Sequence, residues 1–370
     1  MSSKETVREL LALADVKIDG KRPFDITVHD DRFYKKVLRQ RELGLGESYM
    51  DGWWDCQQID VLVEKMLSAN LRDKVKITPA LAKAFLVSVA FNRQTKTRAK
   101  KNASFHYNIG NDLYERMLDK RMIYSCAYWN GVKDLDQAQE AKLDLICRKL
   151  QLKPGQTLLD IGCGWGGFSE FAAKNYGVTV TGITPASEQV KLAKKRTQGL
   201  KVEILQKDYR DITGMYDRIV SIGMLEHVGP KNYKKFFDIC RKHLNPDGIM
   251  LHHTIGLNNT SNSVNPWIDK YIFPGGVIPS LAQISKAVEK RLIIEDVHNI
   301  GPDYDKTLMA WHHNFTQHFD EISDHYDQRF YRMWTFYLLI CAGAFRARQL
   351  ELWQIVFRNI SPSGTFITAR

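Results

Sequence analysis

Residues 158–167 read LLDIGCGWGG, an apolar run that stops at Asp160 and turns through four glycines. Gly162, Gly164 and Gly167 satisfy G-x-G-x-x-G, and Gly166 lies between the last two. Glycines at this spacing permit a tight turn and let a ligand approach the backbone at a helix N-terminus. A dinucleotide site would want an acid about 20 residues on, at the end of the second strand. That region reads TVTGITPASEQ, and its first acid, Glu188, already falls inside the next helix. Metal chemistry finds little support. The histidines include the pairs His252–His253 and His312–His313, but there is no HExxH and no Cys/His grid. The six cysteines include no CxxC pair, which argues against a disulfide framework and for a reducing compartment. Cys341 sits in the apolar run LLICAGAF with no cation before Arg346, so it reads as a buried, inert thiol.

The elements that must hold this turn alternate along the chain. Strands are expected at Thr157–Ile161, Val178–Ile183, Val202–Gln206, Arg218–Ile222 and Ile249–Thr254, with helices between them such as Ser187–Arg196 and Tyr233–His243. Alternation of this kind predicts an α/β domain with a mainly parallel sheet. The first 90 or so residues read differently, as mainly helical. Val7, Leu10, Leu11 and Ala14 share one helical face, with Ser2 and Glu5 at capping-box spacing ahead of them. Val63, Met66, Leu67 and Leu71 repeat the pattern, and Pro79 opens a further helix through Leu81, Phe85 and Val89. Between them, Leu43–Asp55 reads as a glycine-broken, aromatic stretch. NRQTKTRAKK, residues 92–101, has five basic residues and no acidic ones, and reads as an exposed linker. The expected division is therefore 1–91, a basic linker over 92–103, and 104–370.

The chain has 370 residues and a net charge of +11. More than half of that excess, +6, lies in residues 1–103. Such a balance points to a polyanion: nucleic acid, an anionic membrane surface or an acidic partner. The longest nearly uncharged apolar run, Met333–Phe345, falls short of the about 20 residues a spanning helix needs. The first residues carry charges throughout and lack a signal-peptide core.

Asp160 ahead of the glycines gives D-x-G-x-G, which resembles the first motif of class I S-adenosylmethionine-dependent methyltransferases. Further motifs follow in order: HYNIGNDLYERML from His106, YSCAYW from Tyr124, GMLEHVGPKNY from Gly223, LHHTIG from Leu251, NPWIDKYIFPGG from Asn265, DYDKTLMAW from Asp303 and CAGAFRAR from Cys341. Together, and with LGLGESYMDGWWD near the N-terminus, they resemble the bacterial cyclopropane-fatty-acyl-phospholipid synthases. These are related to the mycolic acid cyclopropane synthases. The resemblance implies a Rossmann-like, mainly parallel seven-stranded sheet with a smaller, mainly helical N-terminal domain.

It also implies a reaction. The methyl of S-adenosylmethionine is transferred to the cis double bond of an unsaturated phospholipid acyl chain, a carbocation-like species results, and loss of a proton from the new methyl closes the ring. In this family the base is a bicarbonate ion, and the matching residues are Cys126 and Ile255 through their backbone amides, Glu226, His253 and Tyr304. Glu226 can accept the bicarbonate hydroxyl, and the others can donate to its oxygens. Strand alternation turns one of His252 and His253 into the site and the other away. Glu226 also fits a helix-cap acid, and Tyr304 a packing residue. Cys341 matches a cysteine regarded in the family as an active-site residue. Rings such as Tyr271, Phe273 and Trp311 could stabilise a passing cation.

For the cofactor, Tyr124 and Ser125 are expected at the methionine end, with Asp160, Gly162, Gly164 and Gly166 forming the loop and Tyr107 closing over it. Thr184 and Gln189 are expected at the ribose hydroxyls, Asp208 at the adenine amino group, and Tyr209 against the purine. The substrate implies adsorption to an anionic bilayer from the cytoplasmic side, without nucleic acid, with the basic residues contributing about 1 kcal/mol each. Tyr49, Trp53 and Trp54 suit either the headgroup level or a small core. Arg329–Trp353 reads as helical, lining an acyl tunnel or a subunit contact, and family likeness suggests a homodimer. A class I methyltransferase acting on a small molecule or RNA is the alternative, although no RNA-binding module is present.

Overall fold

The structure is a computed structural model that describes residues 2–71, 110–261 and 265–370. The helix expected after Pro79, the basic stretch 92–103, and Tyr107 lie outside the described residues. Contacts divide the chain into two compact units. The first comprises Met1–Phe91, Ser263–Pro274 and Tyr304–Leu350, and the second Asn92–Asn262, Gly275–Asp303 and Glu351–Arg370.

The described part of the first unit is mainly helical, with one short antiparallel pair, Thr27–Val28 and Trp54–Asp55. Helix α1, Ser3–Ala12, starts on the expected capping box, with Ser2 and Glu5 each bonding the other's backbone N–H. Helix α2, Arg32–Met50, carries a kink at Arg41, whose φ is 49°. Helix α3, Ile59–Ser68, buries Ile59 and Leu62. The glycine-rich segment 43–50 does not break the chain as expected; it is the last part of α2. Its glycines serve packing, because a Cβ on Gly46 would lie 2.4 Å from the Trp267 ring. Trp54 is fully buried against Phe33, Tyr49 and Phe336, and its indole N–H donates to Ser48 Oγ at 3.1 Å. Burying a ring of this size contributes about 2–3 kcal/mol. Tyr49 and Trp54 are thus core residues, while Trp53 lies half-buried beneath Arg32 and Lys36. The helices Pro302–His318 and Gln328–Arg346 complete this unit's framework. Arg346 binds Asp60 and Asp305, both at under 3 Å.

The second unit is built on a seven-stranded sheet: β1 Thr157–Ile161, β2 Thr179–Thr184, β3 Val202–Gln206, β4 Tyr216–Ile222, β5 Leu244–Gly256, β6 Leu292–Asn299 and β7 Glu351–Asn359. Their order is β3-β2-β1-β4-β5-β7-β6. The first five run parallel, and β7 runs antiparallel to both neighbours. Leu158 and Leu159 are both fully buried because helices cover both faces of the sheet. Helix α4, Leu135–Lys149, and α5, Gly167–Tyr176, contribute to the core containing Leu158. Helix α6, Ser187–Arg196, follows β2, and α7, Tyr233–His243, packs Phe236 and Phe237 into the core containing Leu159. In such sheets ligands bind beyond the carboxyl ends of the parallel strands, where the strand order reverses. That switch lies between β1 and β4, and the loops after them carry Asp160–Gly167 and Gly223–Glu226.

Candidate active site

Asp160 sits at the end of β1, opposite Gly182 and Val220 on the flanking strands. Its carboxyl is buried and accepts from Ser169 Oγ at 2.7 Å; burial pushes its pKa up to about 7. Beyond it the chain turns on three glycines with positive φ: Gly162 at 85°, Gly164 at 54° and Gly166 at 80°. These values belong to the left-handed region that glycine enters without steric cost. The amides of Gly162 and Cys163 both donate to Ile183 O, locking the turn onto β2. Gly164 faces open space, since a Cβ there would meet no atom within 4 Å. The turn thus has one rigid side and one side free for a ligand.

The other residues expected at the cofactor gather at neighbouring strand ends. Thr184 and Gln189 are buried, and Thr184 Oγ1 donates to Gln189 Oε1 at 2.7 Å. Gln189 Nε2 is left without a partner among the described residues. Asp208 accepts from the Arg210 backbone at 2.9 Å and pairs with its guanidinium at 3.1 Å. Tyr209 packs edge-on against Phe236, with the Arg210 guanidinium 4.7 Å from its ring centre. Before α4, Tyr124 stacks edge-on with the fully buried Tyr114, and Tyr114 in turn meets Trp165 of the glycine turn. A buried donor left without a partner beside an open glycine is costly unless a ligand supplies an acceptor. A nucleoside with ribose and base edges fits that description.

Glu226 lies in a single turn after β4, and β5 carries His253 and Ile255 on one face. Ile255 N–H donates to Glu226 Oε1 at 2.7 Å, so this amide is committed to the carboxylate. Glu226 Oε2 has no partner among the described residues. Burial, only partly offset by its backbone bonds and Thr254, raises the carboxyl to about 7. His253 is buried and faces Gln354 across the β5–β7 ladder, with Gln354 Nε2 3.5 Å from its Nδ1. Its Nε2 has no partner among the described residues. Burial first, then Lys142, His252 and Lys149, hold the imidazole well below its usual pKa, so it is neutral. His252 points the other way, into a wedge between Phe236 and Phe237. Cys126 is fully buried in the same unit.

Tyr304 and Cys341 belong to the first unit. The Tyr304 ring packs on Trp311 and Phe345 there, and Tyr271 donates its hydroxyl to Glu47 at 3.0 Å. Cys341 is half-buried on the helix Gln328–Arg346, and its apolar surroundings push the thiol up to about 12. It carries almost no thiolate near neutrality, in keeping with an inert role. Among the described residues no group of three His, Cys, Asp or Glu side chains could hold a metal.

Residue-by-residue reading missed Gln139 and Lys142, both fully buried on α4, and Gln354 on β7. The first two carried a signal. Leu135, Ala138, Gln139, Lys142 and Ile146 share one helical face, so two polar residues stand where the core should be apolar.

The strand order, its antiparallel last strand and the acid-glycine turn define a class I S-adenosylmethionine-dependent methyltransferase fold. Residues 94–355 match the family described as mycolic acid cyclopropane synthetase. The chain is 52% identical over 360 residues to the cyclopropane-fatty-acyl-phospholipid synthase of Escherichia coli K12, covering 96% of this chain and 93% of that one. Among solved structures, the cyclopropane synthase MmaA2 from Mycobacterium tuberculosis superposes with a TM-score of 0.66 at 32% identity, covering 70% of this chain and 97% of its own. Mycolic acid cyclopropane synthase CmaA1 complexed with SAH and CTAB gives 0.66 at 30% identity, covering 70% and 98%. The chain belongs to the cyclopropane-fatty-acyl-phospholipid synthase family, enzymes of the S-adenosylmethionine-dependent methyltransferase class.

Proposed function

We propose that this enzyme converts cis double bonds of unsaturated acyl chains in membrane phospholipids to cyclopropane rings. S-adenosylmethionine supplies an electrophilic methyl group. In the step proposed, the methyl–sulfur bond breaks as the alkene π pair forms the first carbon–carbon bond. Removal of one proton from the new methyl releases the electron pair that forms the second, and S-adenosylhomocysteine and a proton remain. An alkene is a weak nucleophile, so positioning and exclusion of water must supply much of the rate.

The observation that carries this reading is the pair Glu226 and His253. Both are buried, and each has one polar atom without a partner among the described residues, Glu226 Oε2 and His253 Nε2. Methylation of an O–H or N–H group would also release a proton, and the choice of an alkene rests on the family match. Here a proton must leave carbon, and the pair suits a small oxyanion, read as bicarbonate, which would supply the base. Glu226 accepts its hydroxyl and neutral His253 donates to an oxygen. Burial keeps competing water from the cation.

Adsorption to an anionic leaflet from the cytoplasmic side, as a homodimer, is part of the proposal. It draws on the net charge of +11, and no described helix is long and apolar enough to cross a membrane. The test is incubation with S-adenosylmethionine and vesicles of unsaturated anionic phospholipid at low and high salt, followed by lipid mass spectrometry. The expected product gains one CH₂ per double bond and loses its alkene signal, with less conversion at high salt. Methylation of a headgroup or of added RNA, with the alkene intact, would refute the reading.

A further inference from the structure

Lys142 lies on α4 with no exposed surface, and its ammonium has one hydrogen-bond partner among the described residues: Ser125 Oγ, at 2.9 Å. It forms no ion pair there within 4 Å, although buried lysines elsewhere do, such as Lys149 with Asp296 at 3.5 Å. Asp119, an acid whose charge acts on Lys142, already accepts the backbone N–H groups of Arg121 and Ile123, at 3.0 and 2.7 Å. Asp160, the other such acid, accepts from Ser169. A buried cation without a counter-ion is expensive, and burial lowers this one to about 8. At that value it still carries its charge at neutral pH, and an anion bound beside it would offset the cost of burial.

The hydrogen-bond directions indicate where. Lys142 can only donate, so Ser125 Oγ accepts from it, which leaves the serine hydroxyl proton free to point elsewhere. No acceptor for that proton is found among the described residues. Gln139, three residues before Lys142 on the same face, donates to the carbonyls of Ile123 and Ser125 at 3.3 and 2.9 Å, fixing the segment that carries the hydroxyl. The arrangement is a rigid, positively biased donor beside the acid of the glycine turn.

We propose that Lys142 is a positioning residue for the zwitterionic end of the cofactor: it fixes Ser125 so that the hydroxyl donates to the methionine carboxylate, and it supplies the opposing charge. The inference rests on the S-adenosylmethionine reading above. It makes Lys142 matter only for ligands that carry the amino-acid end.

The test compares binding of S-adenosylhomocysteine and of 5′-methylthioadenosine, which lacks that end, by calorimetry on the full chain. Wild-type protein should bind both. Lys142→Met should weaken S-adenosylhomocysteine by about 10- to 100-fold, the range for a lost charged hydrogen bond, and leave 5′-methylthioadenosine unchanged. Ser125→Ala should show the same selectivity, and the double variant should lose little more than either single one. Its melting temperature should hold or rise in Lys142→Met, because an uncompensated charge has left the interior. Equal loss of both ligands, or loss of neither, would overturn the proposal. If Lys142→Met fails to fold, Lys142→Gln, which keeps a donor on that face without the charge, decides by the same criterion. Failure of the wild-type protein to bind S-adenosylhomocysteine would overturn the cofactor reading itself, and this proposal with it.

Discussion

Glu226→Gln should lower ring formation by about a hundred- to ten-thousand-fold, the range for loss of a positioned acid–base group, and should leave S-adenosylhomocysteine affinity nearly intact. The separation follows from where the carboxylate sits. Glu226 Oε1 is held by Ile255 N–H, and a glutamine oxygen can keep that bond. Oε2, which has no partner among the described residues, is what changes, from an acceptor to a donor, so it can no longer accept the hydroxyl of a bound oxyanion. The residues around the glycine turn are untouched. Stability should move in the opposite sense. The Glu226 carboxyl titrates near 7 when folded against about 4.5 unfolded. A raised acid favours the folded state at low pH, and that advantage is lost as pH rises from 4.5 through 7. The ionised carboxylate therefore costs on the order of 3 kcal/mol above neutrality. Glu226→Gln should raise the melting temperature near pH 8 and change it little near pH 4. Unchanged turnover, or turnover lost in proportion to cofactor binding, would show that Glu226 serves the fold or the cofactor and not the chemistry.

Gly164→Val should weaken S-adenosylhomocysteine by at least about 100-fold, equivalent to about 2.8 kcal/mol. Gly164 has a φ of 54°, and its missing side chain leaves open space on the ligand side of the turn. Valine there both strains the backbone and fills the opening. Gly155→Val separates the two effects. Gly155 has a φ of 85°, also meets no atom within 4 Å, and sits in the turn before β1, at the opposite end of that strand. Both variants should lose stability to a comparable degree in thermal melts. Only Gly164→Val should lose the ligand. Equal affinities in the two would place the cofactor away from this turn.

Much of this arrangement was legible in the residues themselves. Strands β1 and β3 and helices α6 and α7 fall where their patterns put them, because short apolar stretches bounded by turn residues and 3.6-residue periodicity report burial directly. Strand β5 runs further at both ends than Ile249–Thr254, since its ends are set by pairing with β4 and β7 and not by local composition. The segment 329–353 is helical only to Arg346. Arg348 then takes a φ of 57°, and Trp353 belongs to β7. An arginine in that conformation gives no warning in sequence, where glycine would. Strand β6 hides because Glu295, Asp296, His298 and Asn299 interrupt its apolar residues.

The site divides in the same way. The acid and glycines before α5 announce themselves by spacing. Glu226, His253 and the ribose and adenine residues stood out through resemblance, and the structure adds which of their atoms lack partners. Lys142 escaped because a lysine on a helix is ordinarily solvated. Only the helical face it shares with Leu135 and Ala138 marks it as internal. Gln354 meets His253 through strand register, a tertiary fact.

In the reaction proposed, a methyl group is delivered to an alkene and then loses one proton. Cofactor carrying a trideuterated methyl group, supplied with vesicles of a mono-unsaturated phospholipid, tests it directly. The expected product is an acyl chain that retains two of the three deuterium atoms on the added carbon, in a saturated ring with no remaining alkene. Retention of all three, in a methyl-branched chain or on a headgroup, would contradict it.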